Sequence, residues 1–485
     1  MLHLITVFGK YTMIIALFLF TIFGYGAIRT PKSGGEGRTF SYHIMRILML
    51  IEYLGGAVVI YANNPGSDIF FVLVLELLFL ILYPHMIRTL YVKSDPLLLN
   101  YMMLFLALGF IMLYRLSPKN CIKQAMMVVA IAVLTSWIPL FIEKLKNARV
   151  PAATAGTLGL ILLIVVMVFG TETFGSNLSL TIGSVSIQPS ELVKITYCLL
   201  IAMLLRKRDD FKRVVYATAI AAAHVLVLVL SKDLGAALIY FLAYLAMLEI
   251  ATRKFYYTLA GLVVGCGAGV AAYFLFSHVR ERIAAWVDPW SIIDDKGYQV
   301  TQSLFAIGNG GFLGTGLYEG MPTKIPVVTK DVIFSAIAEE LGSIYGICLI
   351  FAILACLLLM IQIAARMNTI FYKITGVGFA VIYGVQVVLT IGGAIKFIPA
   401  TGVTLPFVSY GGSSVLSMFI ICMIMLGLTI MRRNEDDEIA ERKLYGQQAE
   451  RTESAKVGES QDKQQPQRGS RVQKEGDEYV VYFDE

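Results

Sequence analysis

Long apolar runs recur along the chain, separated by short polar connectors. The runs at 11–28, 43–62, 68–88, 97–115, 121–142, 152–170, 189–205, 212–231, 233–251, 255–277, 332–362, 372–396 and 404–431 each approach the ~20 residues that a helix needs to cross a hydrocarbon core of ~30 Å. They predict about 13 transmembrane helices. The one long interruption lies between the tenth and eleventh runs, where a polar, glycine-containing loop occupies 278–331. Composition agrees: the 485 residues are 57% hydrophobic and 15% charged, well above the roughly 45–50% apolar share of soluble domains. The expected class is an all-α polytopic integral membrane protein, with no soluble domain of useful size left over.

Charge gives the expected orientation. Basic residues gather in alternate connectors, at 29–38, at Arg88 and Lys93, at 143–149, at 206–213, at Arg253 and Lys254, at Arg366 and Lys373, and at Arg432 and Arg433. By the positive-inside rule these connectors are cytoplasmic. The N-terminus, the connectors 61–68 and 170–188, and the 278–331 loop are then outside. Arg115, Lys119 and Lys123 disagree, since they fall on an expected outer turn. The first apolar run has no basic leader and no small-residue cleavage site, so a cleavable signal is not expected. Residues 432–485 are of mixed charge and rich in Gln and Ser, which reads as a disordered cytoplasmic tail. Its terminal EYVVYFDE reads as an inert end, the alternative being a strand added to a partner's sheet. The net charge of +6 is accounted for by the inner connectors and calls for no nucleic acid. Cys121, Cys198, Cys266, Cys348, Cys356 and Cys422 all sit in apolar runs without metal or disulfide spacing and are expected to pack.

Ionisable residues at the ends of apolar runs are the candidates for chemistry, because burying one costs ~2.5–3.5 kcal/mol even on lenient insertion scales. Gln188-Pro189-Ser190-Glu191 opens one run, and Glu191 and Lys194 stand at i, i+3, where they can pair. An ion pair that only holds the helix end is an equally good account of them. Lys232 and Asp233 share a tight turn that needs polar residues in any case. Lys396 ends another run, and Gly411-Gly412-Ser413-Ser414 is read as lying inside the last, where small residues permit close helix approach. Trp286 and Trp290 suit the membrane interface. Residues 298–307 form an amphipathic stretch suited to a surface helix. The glycine-rich 308–316 lacks the strand-then-helix context of a nucleotide loop and suits close backbone approach or a tight turn. Asp331 immediately precedes an apolar run. It is placed either to cap that helix or to act as a base. Glu339 and Glu340 lie roughly 80° and 180° around the helix from it at ~100° per residue, so they can support the site without sharing its position.

The motifs QPSELVK at 188–194, KDLGAAL at 232–238, DPWSIIDDKGYQVTQSLFAIGNGGFLGTG at 288–316, TKDVIFSAIAEELG at 329–342 and TGVTLPFVSYGGSS at 401–414 together resemble the SEDS family of cell shape, division and sporulation proteins, the FtsW/RodA/SpoVE group. The resemblance covers 96–431 and implies a core of ten helices. Residues 1–95 are then a three-helix N-terminal membrane extension.

The resemblance implies a peptidoglycan glycosyltransferase of the bacterial cytoplasmic membrane. Such an enzyme polymerises lipid II at the outer face and works with a class b penicillin-binding protein. The essential Asp of the family's TDFIFA-like motif maps onto Asp331, with Glu339 and Glu340 in support. The matching motifs place Gln188, Glu191, Lys194, Lys232, Asp233, Gln302, Ser409 and Gly411 at the substrate. Lys232, Lys324, Lys330 and Lys396 are candidates to stabilise the pyrophosphate leaving group, alone or with a divalent cation, Mg²⁺ or Mn²⁺; no metal ligand set is assigned and no organic cofactor is expected. Lys330 stands where the family commonly has Thr, Val332 where it has Phe, and Lys396 where it has Gly. A lipid II flippase, suggested by Glu76, Glu191, Lys194 and Glu249, and a non-catalytic scaffold for the penicillin-binding protein remain alternatives.

Overall fold

The computed structural model describes the backbone of residues 1–29, 35–145, 149–173, 176–182, 185–207, 210–462, 470–475 and 478–483. The connectors expected at 29–38, 143–149 and 206–213 lie partly outside these. Among the described residues, 11 helices are long and apolar enough to cross a membrane. The shorter apolar helix Ala153–Phe169 and the helix Pro189–Leu205 occupy the other two runs. Helices dominate because each satisfies its own backbone groups where no water is available.

The helix Pro96–Leu116 lies at the centre, with the whole of its apolar window buried by its neighbours. That explains why it is apolar all round rather than on one face. It starts at a true N-cap, since Asp95 accepts from the Leu97 N–H at 3.1 Å. The helix Phe255–Leu275 is the opposite case, equally apolar but with no buried residue. Cys266 lies on it and is exposed while the other five cysteines are buried, so the packing role expected of all six does not extend to Cys266.

Helix Ile333–Ala365 is broken. Gly342 sits in it at φ 90°, ψ 166°, and the glycine-rich run fills the break. The N–H groups of Thr315 and Gly316 donate to the carbonyls of Glu339 and Glu340 at 2.9 and 2.8 Å, while the N–H groups of Ser343 and Ile344 donate to the carbonyls of Gly311 and Phe312 at 3.0 and 3.1 Å. These are the groups that an interrupted helix leaves without partners. The fit requires glycine on both sides. A β-carbon on Gly314 (φ 77°) would stand 2.4 Å from the Glu340 carbonyl oxygen, and one on Gly342 would stand 2.4 Å from the Gly314 nitrogen.

The last span differs from expectation at its start. It was expected from 404, but helix begins at Gly412, so Gly411 to Ser414 stand at its beginning. Residues before it are held in irregular form by hydrogen bonds to other parts of the chain. The Tyr410 N–H reaches the Thr329 carbonyl at 2.8 Å, and Gln124 bonds both the Ser409 carbonyl (Nε2, 3.0 Å) and the Gly411 N–H (Oε1, 3.2 Å). Two further segments outside the predicted runs carry structure. Thr171–Thr173, Ser176–Ile182 and Val185–Ile187 pair as antiparallel strands, in keeping with their β-branched residues. Past Met431, where disorder was expected, the helix that starts at Gly412 continues to Asp462, and Ser470–Glu475 pairs with Glu478–Phe483. Charged pairs one turn apart support the start of that continuation, Arg432 bonding Asp436 at 2.8 Å. EYVVYF thus pairs within its own chain.

Candidate active site

Asp331 is partly buried and free of the capping role that its position suggested. The N-cap of Ile333–Ala365 is Val332, and no side-chain hydrogen bond caps that helix. The Asp331 carboxyl is directed instead toward the irregular 401–411 segment. Gly402, at φ 77°, makes the room: a β-carbon there would stand 3.8 Å from Asp331 Oδ2 and 4.0 Å from Arg282 Nη2. A carboxylate and a guanidinium therefore face each other across a glycine. Burial pushes the Asp331 carboxyl up to about 6, against the lowering pull of the Lys330 and Arg282 charges. A group titrating there is ionised at neutral pH and still basic enough to take a proton.

Arg282 was not singled out from the sequence. It belongs to the short helix Ser277–Val287, and it stands between two carboxylates. Burial lowers its pKa, while Asp331 and Asp233 raise it. His278, one turn earlier, is pushed down by burial and then by Arg282 and Lys232, and its Nε2 is buried with no hydrogen-bond partner. The Thr401 hydroxyl, beside Gly402, is buried and unpartnered as well. The signal was present: His278 and Arg282 are spaced i, i+4 and so share a helix face.

Asp233 caps the helix Leu234–Thr252 through the Ala236 N–H at 3.1 Å and accepts from Ser190 Oγ at 3.2 Å. Its pKa is raised by burial, and hydrogen bonds from Ala236, Ser190 and Gln188 oppose that rise. Gln188 is also tied down through its N–H, which donates to Ser413 Oγ at 3.0 Å. Lys232 is partly buried, with φ 62° in the turn before Asp233.

Glu191 and Lys194 do pair, at 2.6 Å, and the pair extends into a buried network. Glu191 accepts from Ser417 Oγ at 2.8 Å, and Lys194 donates to Gln386 Oε1 at 3.0 Å. Gln386 Nε2 continues to the Thr404 carbonyl at 3.0 Å and to Ser414 Oγ at 3.2 Å. The network therefore ends on the same 401–411 segment that faces Asp331. Ser409 ties that segment to the Asp331 loop, donating to the Lys330 carbonyl at 2.5 Å and accepting from the Leu405 N–H at 2.9 Å.

Five expected residues stand apart from this centre. Glu339 and Glu340 are buried against the glycine-rich loop rather than beside Asp331. Glu339 Oε1 accepts from Asn309 Nδ2 at 3.1 Å and the Met321 N–H at 3.0 Å. Glu340 accepts from Arg115 Nε at 2.8 Å and the Tyr318 N–H at 3.2 Å. This explains the misplaced charge at Arg115, which serves a buried carboxylate rather than a membrane side. Lys324 is exposed on the turn Pro322–Lys324, and Gln302 is partly buried on the helix Tyr298–Gly310. Lys396, at φ 60°, lies just past the helix Ile370–Ala394, and its carbonyl accepts from Trp286 Nε1 at 3.1 Å. Among the described residues no group of three or more His, Cys, Asp or Glu is placed to hold a metal ion.

The arrangement has relatives. Residues 95–434 match the model of the FtsW/RodA/SpoVE cell cycle proteins. The peptidoglycan glycosyltransferase RodA of Mycobacterium bovis is 33% identical over 365 residues, 68% of this chain and 77% of that protein. A probable peptidoglycan glycosyltransferase FtsW of Aliivibrio salmonicida is 29% identical over 320 residues, 64% of this chain and 80% of that protein. Among solved structures, a peptidoglycan synthase complex that coordinates polymerization and crosslinking matches with a TM-score of 0.60 at 25% identity, over 70% of this chain and 98% of that one. The rod shape determining protein RodA of Thermus thermophilus shares the fold with a TM-score of 0.54 at 24% identity, over 69% of this chain and 96% of that one.

Proposed function

The chain belongs to the FtsW/RodA/SpoVE family of cell cycle proteins, and from that premise we propose that it is a peptidoglycan glycosyltransferase that polymerises lipid II with Asp331 as its base. The observation that carries the base assignment is the Asp331 carboxyl, not used as a helix cap and facing Arg282 across Gly402. The Asp331 carboxylate takes the proton of the acceptor sugar hydroxyl. The freed oxygen bonds to the anomeric carbon of the donor, and the lipid pyrophosphate leaves with the electron pair of the broken bond. Arg282 is placed to hold the developing pyrophosphate charge, with Lys330 and Lys232 nearby. Such preorganised cations act where the charge develops. The alternation of basic connectors supports a site outside the cytoplasmic membrane and a tail inside. The likeness to a peptidoglycan synthase complex supports a class b penicillin-binding protein as partner.

The intramembrane carboxylates that suggested transport are engaged locally. Glu76 accepts from Tyr53 at 2.9 Å, Glu249 accepts from Thr258 at 2.6 Å, and Glu191 is paired with Lys194. The purified full chain, incubated with lipid II and Mg²⁺ or Mn²⁺ with and without its partner, is expected to form glycan strands. Absence of strands in both mixtures, with lipid II translocation into liposomes that survives Asp331→Ala, would favour a flippase.

Arg282 gives a separate test. Arg282→Met is expected to lower the polymerisation rate by about 100-fold, the lower end of the loss expected for a charge-stabilising donor, with Arg282→Lys recovering part of it. Because Arg282 pulls the Asp331 pKa down, its loss should also move the acidic limb of the pH–rate profile to higher pH. A normal rate and an unmoved limb would place Arg282 outside the reaction.

A further inference from the structure

The three helices Leu2–Arg29, Gly35–Asn63 and Ser67–Leu90 precede the residues matched by the family, yet the first of them, with Asn64 just past the second, grips the loop that fills the Gly342 break. Lys10 is 8% exposed, and its Nζ donates to the Gly314 carbonyl at 3.0 Å. Thr6 is buried one turn before it, and a β-carbon on Gly316 would stand 2.9 Å from Thr6 Cγ2. His3 Nδ1 lies 2.6 Å from Glu319 Oε1. Positions 3, 6 and 10 follow helical spacing, so one face of the first helix tracks the loop. Just past the second helix, Asn64 Nδ2 donates to the Tyr318 hydroxyl at 2.9 Å. Deeper in the bundle the Tyr345 hydroxyl donates to Glu52, and Thr21 and Tyr25 donate to the carbonyls of Cys348 and Phe351 at 3.4 and 3.2 Å.

A lysine within an apolar helix is costly unless it is committed to a partner. Here the hydrogen bond goes to the carbonyl of Gly314, which packs against Gly342, while the ammonium also stands 5.2 Å over the Tyr11 ring. Resting on the polymerase reading above, we propose that Lys10 is a positioning residue for the reaction: the N-terminal extension fixes Gly314 in the helix break and so sets the direction of the segment 333–341, which begins two residues after Asp331. Several contacts join the loop to that segment; a first route is the backbone bonds of Thr315 and Gly316 to Glu339 and Glu340, and a second is the Glu340 contacts with Arg115 and the Tyr318 N–H. The Arg115 guanidinium lies 4.6 Å over the Tyr318 ring, so the Asn64 contact feeds the second route.

The test compares Lys10→Met with Lys10→Arg in the full chain, with rates expressed per folded protein. Lys10→Met is expected to lower kcat for lipid II by about tenfold or more at a KM within about twofold, the pattern of a misplaced base rather than lost ground-state binding. Backbone amides of Thr315 and Gly316 should exchange at least about tenfold faster with deuterium, and Lys10→Arg should restore both readouts. If Lys10→Met does not fold, the double variant His3→Ala with Asn64→Ala, which touches only the rim of the loop, should change both readouts in the same direction by about two- to threefold. Normal kcat in the variants, or unchanged amide exchange, overturns the positioning role. Failure of the wild-type chain to polymerise overturns the polymerase reading instead, and amide exchange alone then decides whether Lys10 holds the loop.

Discussion

Asp331→Asn is expected to slow glycan polymerisation by about 10²–10⁴-fold, the range that a positioned general base contributes. Asparagine keeps the size and shape of the side chain, so neither Gly402 nor Arg282 has to move to admit it. It cannot accept the hydroxyl proton. The fold should tolerate the change, because the helix after Asp331 is not capped by its side chain and because burial already disfavours the charged carboxylate. The measurement is strand formation from lipid II by the purified chain, alongside a thermal unfolding midpoint in detergent. A variant that polymerises within about tenfold of the wild type would remove Asp331 from the base role.

Arg115→Met is expected to destabilise the protein by about 3–5 kcal/mol, the usual consequence of leaving one partner of a buried ion pair without the other. Glu340 is 0% exposed and Arg115 is 11% exposed, with 2.8 Å between them. Arg115 also donates to the Gly320 carbonyl at 3.1 Å, so the loss reaches the loop that fills the helix break. Glu340→Gln in the same chain should recover a large part of the stability, since it removes the stranded charge. An unfolding midpoint for Arg115→Met equal to that of the wild type would show that Glu340 does not depend on the pair.

Much of this architecture was legible in the sequence because the bilayer imposes a simple rule on helix length, and every apolar run found a helix. Asp331 was legible as a candidate, since a carboxylate at the start of an apolar run needs a reason. What escaped was set by long-range contacts. The helix break at Gly342 looks, in hydropathy, like an unbroken span; only the insertion of Gly314 makes it a break. Arg115 reads as an exception to the charge rule until Glu340, 225 residues away, is seen to bury it. Arg282 sits in a polar helix where an arginine needs no explanation, and only the fold places Gly402 and Asp331 against it. The start of the last helix was missed because Gln124 and Thr329, distant in sequence, supply the hydrogen bonds that hold 401–411 out of helical form.

The most direct test of Asp331 as the base is the pH dependence of lipid II turnover by the wild-type chain. Burial raises the folded-state pKa of this carboxyl to about 6, and the active form is the ionised one. The rate should therefore be flat above about pH 7, halve near pH 6, and fall about tenfold for each further unit of acidity below about pH 5. The residual rate of Asp331→Asn should lack that limb. A wild-type profile flat from about pH 5 to 8, or the same acidic limb in Asp331→Asn, would contradict the assignment.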